Sequence, residues 1–231
     1  MLTIIIPIYN EEDNLILLIK SLVEKKELIS KFEFLFINDG STDNSEILLF
    51  DLIEKYDLIN ILSFKYLKHE KNSGIGQVYR TGIKFAANDY LTMIASDNED
   101  NIDDIIDAFK LIDSCDCIIM YNKNSEESRS YIRRIISIVF RTYLNIRFNV
   151  KILYFNAFGN IYNLNILKNI TITSSGFFAL AEISIKMYKL SEKTIQYPRI
   201  LGIRNAGNSN SLKLRSLLIL LYEYYRLKIK N

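Results

Sequence analysis

The sequence predicts an α/β fold, with a mostly parallel central sheet covered by helices on both faces. Three observations point there. Apolar runs of strand length alternate with amphipathic stretches of helical period through the first half. Polar residues gather where those runs end. The composition of the 231 residues, 49% hydrophobic and 24% charged with 2 Pro and 8 Gly, belongs to a globular chain and excludes disordered, collagen-like and low-complexity classes. This length suits one large domain, or one domain with a C-terminal extension.

Strands are expected at residues 2–7, 32–37, 61–67, 90–96 and 117–121, where short apolar runs occur. Between them, residues 12–25, 44–56, 77–87 and 102–112 carry apolar side chains at three and four spacing, the mark of helices with one buried face. Thr42 or Asp43 is expected to cap the second helix and Asn101 the fourth, through oxygens that accept free backbone amides. The second half is less regular: a helix over 129–147 with arginines on several faces, a strand over 156–162, and helices over 178–190 and 212–228. The last carries leucines and tyrosines beside Lys213, Arg215, Arg226 and Lys228. It is too charged to span a bilayer and suits either a membrane interface or packing on its own domain or a second subunit. The expected division is therefore 1–210 for the main domain, in halves 1–127 and 128–210, with 211–231 as an amphipathic helix and a homodimer possible.

No run reaches the roughly 18–20 apolar residues of a membrane-spanning helix. The chain opens on a strand pattern without a basic leader, so the expectation is cytoplasmic residence, peripheral at the inner face of the membrane. Cys115 and Cys117 sit too close for a disulfide framework and lack a second pair for zinc, so they read as buried, reduced thiols.

The formal charge of +2 hides a division. Through Glu127 there are 24 acidic and 12 basic residues; beyond it there are 3 and 17. No Asp or Glu occurs between Ser128 and Ala181. A basic half suggests an anionic partner, either a membrane surface or a phosphorylated ligand. The alternative is that the halves pack together and neutralise each other. Nucleic acid is disfavoured, because aromatics are not interleaved with the basic residues in a recognisable motif.

Polar turns follow the first, second and fourth strands: Tyr9-Asn10-Glu11, the stretch from Asn38 to Asp43, and the stretch from Asp97 to Asp100. In open α/β sheets the ligand crevice lies beyond the carboxyl ends of the strands, so these turns should line one acidic cleft. Carboxylates on such a turn suit Mg²⁺ or Mn²⁺ shared with phosphates, although an acidic helix N-terminus would look alike. Gly74 and Gly76 follow the third strand, not the first, and lack a third glycine at the right spacing, which argues against a dinucleotide fingerprint. No Walker lysine occurs, and His69, the single histidine, is expected at the surface beside Lys68 and Glu70, so Ser-His and Cys-His hydrolases are disfavoured.

Three further blocks occur in order: Ile-Ile-Pro-Ile-Tyr-Asn-Glu at 5–11, Ile-Asn-Asp-Gly-Ser-Thr-Asp at 37–43, and Asn-Ser-Gly-Ile-Gly-Gln-Val-Tyr-Arg-Thr-Gly at 72–82. With a fourth at 96–99, the chain resembles the family 2 glycosyltransferases of GT-A fold, in particular their dolichyl- and polyprenyl-phosphate mannose synthase-like branch. The resemblance covers residues 1–110 well and thins over 129–209. It implies that Pro7, Tyr9, Glu11, Asp39, Gly40 and Ser96 line the nucleotide pocket for a UDP or GDP sugar, with Asp39 hydrogen-bonding the base or the ribose. Asp97 would be the last aspartate of the Asp-x-Asp metal motif and a catalytic residue, with Glu99 a second ligand to Mg²⁺ or Mn²⁺. Ala95 stands where the first aspartate is usual. Either the charge of Glu99 compensates, or the cation is held weakly and the chain is altered or inactive.

On the acceptor side the resemblance covers residues 176–182 with Glu182, and 198–209 with Arg204 and Ser209. Arg129 matches a position that would contact acceptor phosphate, while a second arginine expected near Tyr162 is absent. The reaction this resemblance implies is an inverting transfer from a nucleotide-diphospho-sugar to a polyprenyl phosphate, whose oxygen is already anionic. A glycan hydroxyl in polysaccharide or lipopolysaccharide synthesis is the alternative. There Asp100 or Glu182 would take the proton. A catalytically degenerate sugar-nucleotide-binding subunit is a third possibility.

Overall fold

The computed structural model describes residues 1–97, 100–123 and 131–200, with only the backbone of 131–133. Seven strands form one sheet: β1 (Leu2–Ile8), β2 (Glu33–Asn38), β3 (Ser63–Lys68), β4 (Tyr90–Met93), β5 (Cys117–Asn122), β6 (Ile161–Asn163) and β7 (Thr194–Arg199). Their order is β3-β2-β1-β4-β6-β5-β7. All neighbours run parallel except β6, which is antiparallel to β4 and β5.

The helices are α1 (Glu12–Glu24), α2 (Lys26–Ile29), α3 (Ser45–Lys55), α4 (Leu58–Ile61), α5 (Ile75–Phe85), α6 (Ile102–Phe109), α7 (Tyr131–Phe148), α8 (Leu164–Lys168) and α9 (Phe178–Leu190). Period-2 alternation distributes each central strand between two cores. Ile4, Ile6, Ile8, Phe34 and Phe36 pack with Leu15, Ile19 and Leu49 of α1 and α3. Ile5, Leu35 and Ile37 pack on the other face with Val78, Tyr79, Phe178 and Ile183 of α5 and α9. A strand buried on both faces reads as a continuous apolar run, which is why β1 and β2 are plain in the sequence.

Several elements depart from expectation for local reasons. Residues 58–61 make a helical turn, entered through Asp57 in the left-handed region at φ 51°, so β3 starts at Ser63. The strand expected over 156–162 shrinks to 161–163. Gly159 has φ +80°, and the Asn160 side chain, instead of a neighbouring strand, accepts the Met120 N–H at 2.7 Å. The strand β7 has no clear sequence signature because it is partly exposed and contains Pro198. Asn101 caps α6 as expected, accepting from the Asp103 N–H at 3.0 Å. Asp43 instead sits one residue before the N-cap of α3, and its carboxylate takes the Ser45 N–H. Both cysteines are free and buried. The expected helix over 212–228 lies outside the described residues.

Candidate active site

The turns after β1 and β2 are tied together by side chains reaching across the sheet rim. Asn10, at φ 55°, donates its N–H to Ser41 Oγ and accepts the Thr42 N–H on Oδ1 at 2.8 Å. The Glu11 N–H donates to Ser45 Oγ at 2.8 Å, while the Asn44 N–H donates to the Glu12 carboxylate at 3.0 Å. These reciprocal bonds fix two turns that each supply expected pocket residues. Pro7 closes the end of β1, Tyr9 stands 43% exposed at the rim, and Glu11 is half-buried, accepting from the Asn14 amide. A half-exposed ring beside fixed polar turns is a surface on which a flat apolar face can lie.

Asp39 is almost wholly buried and joins a third turn to these two. Its Oδ1 accepts the Ser73 N–H at 3.0 Å and its Oδ2 the Gly74 N–H at 2.8 Å. His69 Nδ1 lies 2.6 Å from Oδ1, and Nε2 lies 2.8 Å from Thr81 Oγ1. His69 is therefore drawn inward by two partners rather than displayed at the surface as its charged sequence neighbours suggested. Gly40 passes through the same junction at φ +72°, where a Cβ would come within 2.5 Å of the Lys71 backbone; a side chain there would push the second and third turns apart.

The turn after β4 is held from the far side of the sheet. Ile94 N–H donates to Ile5 O, Ser96 is buried, and Asp97 follows half-buried. Asp100 is sealed: its Oδ2 accepts the Ala95 N–H at 2.8 Å and its Oδ1 pairs with Arg199. Burial raises the Asp100 carboxyl above its ordinary value, against the pull of the Arg199 charge. Arg199 also donates to Asn122 Oδ1 and Phe158 O, both at 2.8 Å. No sequence signal marked Arg199, because its partner lies 99 positions away. Glu99 lies outside the described residues, and among those described no group of three potential metal ligands occurs. Arg199 holds Asp100, and among the described residues of this turn Asp97 is the other carboxylate. A carboxylate on such a turn suits a hard cation that is shared with phosphate oxygens.

On the acceptor side, Glu182 is fully buried in α9 and works as an anchor. It accepts the N–H groups of Thr173 and Ser174, the Thr173 hydroxyl at 2.9 Å, and Lys186 Nζ at 2.5 Å. Burial would raise its carboxyl, but Lys186 and these donors outweigh that and hold it below its ordinary value. Such a group is a weak proton acceptor, which disfavours the role of base. The anchored segment 172–175 meets α5: Arg80 donates to Ile172 O and Ser174 O, and the Gly76 N–H donates to Ser175 O. A Cβ on Gly76 would lie 2.0 Å from Ser174 O. The glycines that failed the dinucleotide pattern thus let α5 approach this segment. Arg129, Arg204 and Ser209 lie outside the described residues.

Comparison with known proteins bears on the family and the fold. The model of glycosyl transferase family 2 matches residues 3–171. A dolichyl-phosphate beta-glucosyltransferase of Saccharomyces cerevisiae is 26% identical over 118 residues, 49% of this chain and 35% of that protein. The crystal structure of residues 1–349 of S. aureus TarS superposes with a TM-score of 0.59 at 21% identity, over 89% of this chain and 58% of that one. Glucosyl-3-phosphoglycerate synthase from Mycobacterium tuberculosis, crystallised with Mn²⁺, UDP and phosphoglyceric acid, gives 0.66 at 14% identity, over 97% and 76%. The match thus spans about a third of the yeast protein and 58% of that TarS fragment. The fold is GT-A.

Proposed function

The chain belongs to glycosyl transferase family 2, and from that premise we propose that it moves a sugar from a nucleotide-diphospho-sugar to a polyprenyl phosphate with inversion. Pro7, Tyr9, Glu11, Asp39, Gly40 and Ser96 would hold the nucleotide, in a pocket whose first three turns are already fixed by the bonds of Asn10, Asp39 and Ser45. Asp97, with Glu99, would hold Mg²⁺ or Mn²⁺ against the diphosphate. When bound, the cation would neutralise the charge of the departing nucleoside diphosphate. The chain's own part is to fix the two substrates so that the acceptor oxygen faces the anomeric carbon opposite that leaving group. Residues 1–127 would serve the donor and 128–210 the acceptor, with Arg129, Arg204 and Ser209 on its phosphate. Peripheral attachment to an anionic membrane would bring the lipid within reach; no helix among the described residues is long and apolar enough to cross one.

One observation carries the choice of acceptor. The two carboxylates considered as bases for a hydroxyl, Asp100 and Glu182, are both buried and taken by Arg199 and by Lys186 with backbone donors. A phosphate oxygen, anionic at neutral pH, needs no base. The yeast relative's name points the same way, whereas the likeness to a synthase crystallised with phosphoglyceric acid keeps a hydroxyl acceptor as the second reading. Ala95, in place of a metal-motif aspartate, motivates the third, a degenerate sugar-nucleotide-binding subunit. The test is incubation with UDP and GDP sugars, with and without Mn²⁺, and undecaprenyl or dolichyl phosphate, with the products identified by mass spectrometry. A glycosylated lipid phosphate is expected. Nucleotide binding without any turnover would favour the degenerate subunit, and absence of nucleotide binding at millimolar concentration would overturn the transferase reading.

A further inference from the structure

His69 is not among the residues assigned to either substrate, yet both its ring nitrogens are engaged beside the carboxylate placed in the nucleoside pocket. An ionised carboxylate only accepts hydrogen bonds, at about four lone-pair positions. On Asp39, Oδ1 receives the Ser73 N–H and His69 Nδ1, and Oδ2 receives the Gly74 N–H. Because Asp39 can only accept, Nδ1 must carry the proton, and Thr81 Oγ1 at 2.8 Å holds the ring from its other side. Two positions on Oδ1 are thereby filled and one remains on Oδ2.

We propose that His69 is a positioning residue of the nucleoside pocket, leaving Asp39 a single acceptor position that selects uracil over guanine. Uracil offers one imide N–H between two carbonyls, which one lone pair satisfies. Guanine offers its ring N–H and exocyclic amine side by side and needs both carboxylate oxygens at once; with Oδ1 filled, one of these donors goes into the pocket unpaired. The inference rests on the placement of Asp39 against the base, and it narrows the donor to a uridine diphospho-sugar.

Calorimetric titration of the full chain with UDP and GDP tests it. Wild type is expected to bind UDP at least about tenfold tighter than GDP, the scale of one unpaired buried donor. His69→Ala frees the second position on Oδ1 and releases the carboxylate. UDP affinity should fall about tenfold and the preference over GDP should shrink, whereas a purely structural loss would weaken both nucleotides alike. His69→Asn, whose amide N–H can occupy the place of Nδ1–H, should restore both the affinity and the preference. His69→Gln, which reaches toward Thr81 without serving Asp39, should behave like the alanine variant. Equal affinity of wild type for the two nucleotides overturns the inference, as does an unchanged ratio in both the Ala and Gln variants. Asp39→Asn separates this from the underlying reading. If it weakens UDP binding while the His69 variants do not, His69 alone has been misassigned. If it leaves UDP binding intact, the base does not sit on Asp39 and the inference falls with that placement.

Discussion

The rim of the sheet is built in two ways. The turns after β1, β2 and β3 hold one another through short polar side chains and backbone amides, with Asn10, Asp39, Ser41 and Ser45 each bonding across to a different turn. The turn after β4 instead depends on one buried ion pair, Asp100 with Arg199, whose second partner arrives on the last described strand. The first arrangement spreads its stability over many modest bonds, each worth about 1 kcal/mol. The second concentrates it in two charges that cannot be separated cheaply. Turns built the first way, proposed to hold the donor, are tolerant of single losses, whereas the turn carrying Asp97 stands or falls with β7.

The largest effect is therefore expected at Arg199. Arg199→Met strips a buried carboxylate of its partner and should cost about 3–5 kcal/mol, read as a lower denaturation midpoint, with loss of transfer. Next comes Glu182→Gln, which keeps shape but leaves Lys186 without its counter-charge, at about 2–3 kcal/mol. Because the Glu182 carboxyl is held below its ordinary 4.5, wild type keeps that contribution above 4.5. It loses it as the pH falls through the folded value. Denaturation at a series of acid pH values should show a shallower decline in the glutamine variant. Gly76→Ala forces a methyl against Ser174 O and should cost about 2 kcal/mol as α5 and segment 172–175 move apart. The smallest change in stability is expected at the preformed rim. Tyr9→Ala should leave the denaturation midpoint unchanged but weaken nucleotide binding about tenfold, the loss of one base-stacking face. A large stability loss at Tyr9, or none at Arg199, would reverse the contrast between the two constructions.

The same contrast explains how much could be read from the sequence. β1, β2 and the helices that cover them are visible because burial on both faces leaves an apolar run with its own polar turn at the end. Of the residues proposed for the nucleotide, Tyr9, Glu11 and Asp39 sit in those turns and Pro7 near the end of β1, next to the pattern that locates them. His69, Arg80, Arg199 and the anchoring role of Glu182 were not visible. Each works through a partner on another element, and His69 beside Lys68 and Glu70 has the local surroundings of a surface residue. The antiparallel insertion of β6 was equally hidden, since three residues between a positive-φ glycine and a short helix carry no periodicity.

The proposed phosphate acceptor is tested most directly by offering the chain one donor sugar and two acceptors that differ in a single group, undecaprenyl phosphate and undecaprenol. With Asp100 and Glu182 both committed to cations within the fold, transfer is expected to the phosphate alone, at a rate that survives Glu182→Gln in the fraction that remains folded. Transfer to the alcohol at a comparable rate, abolished by Glu182→Gln, would contradict the account.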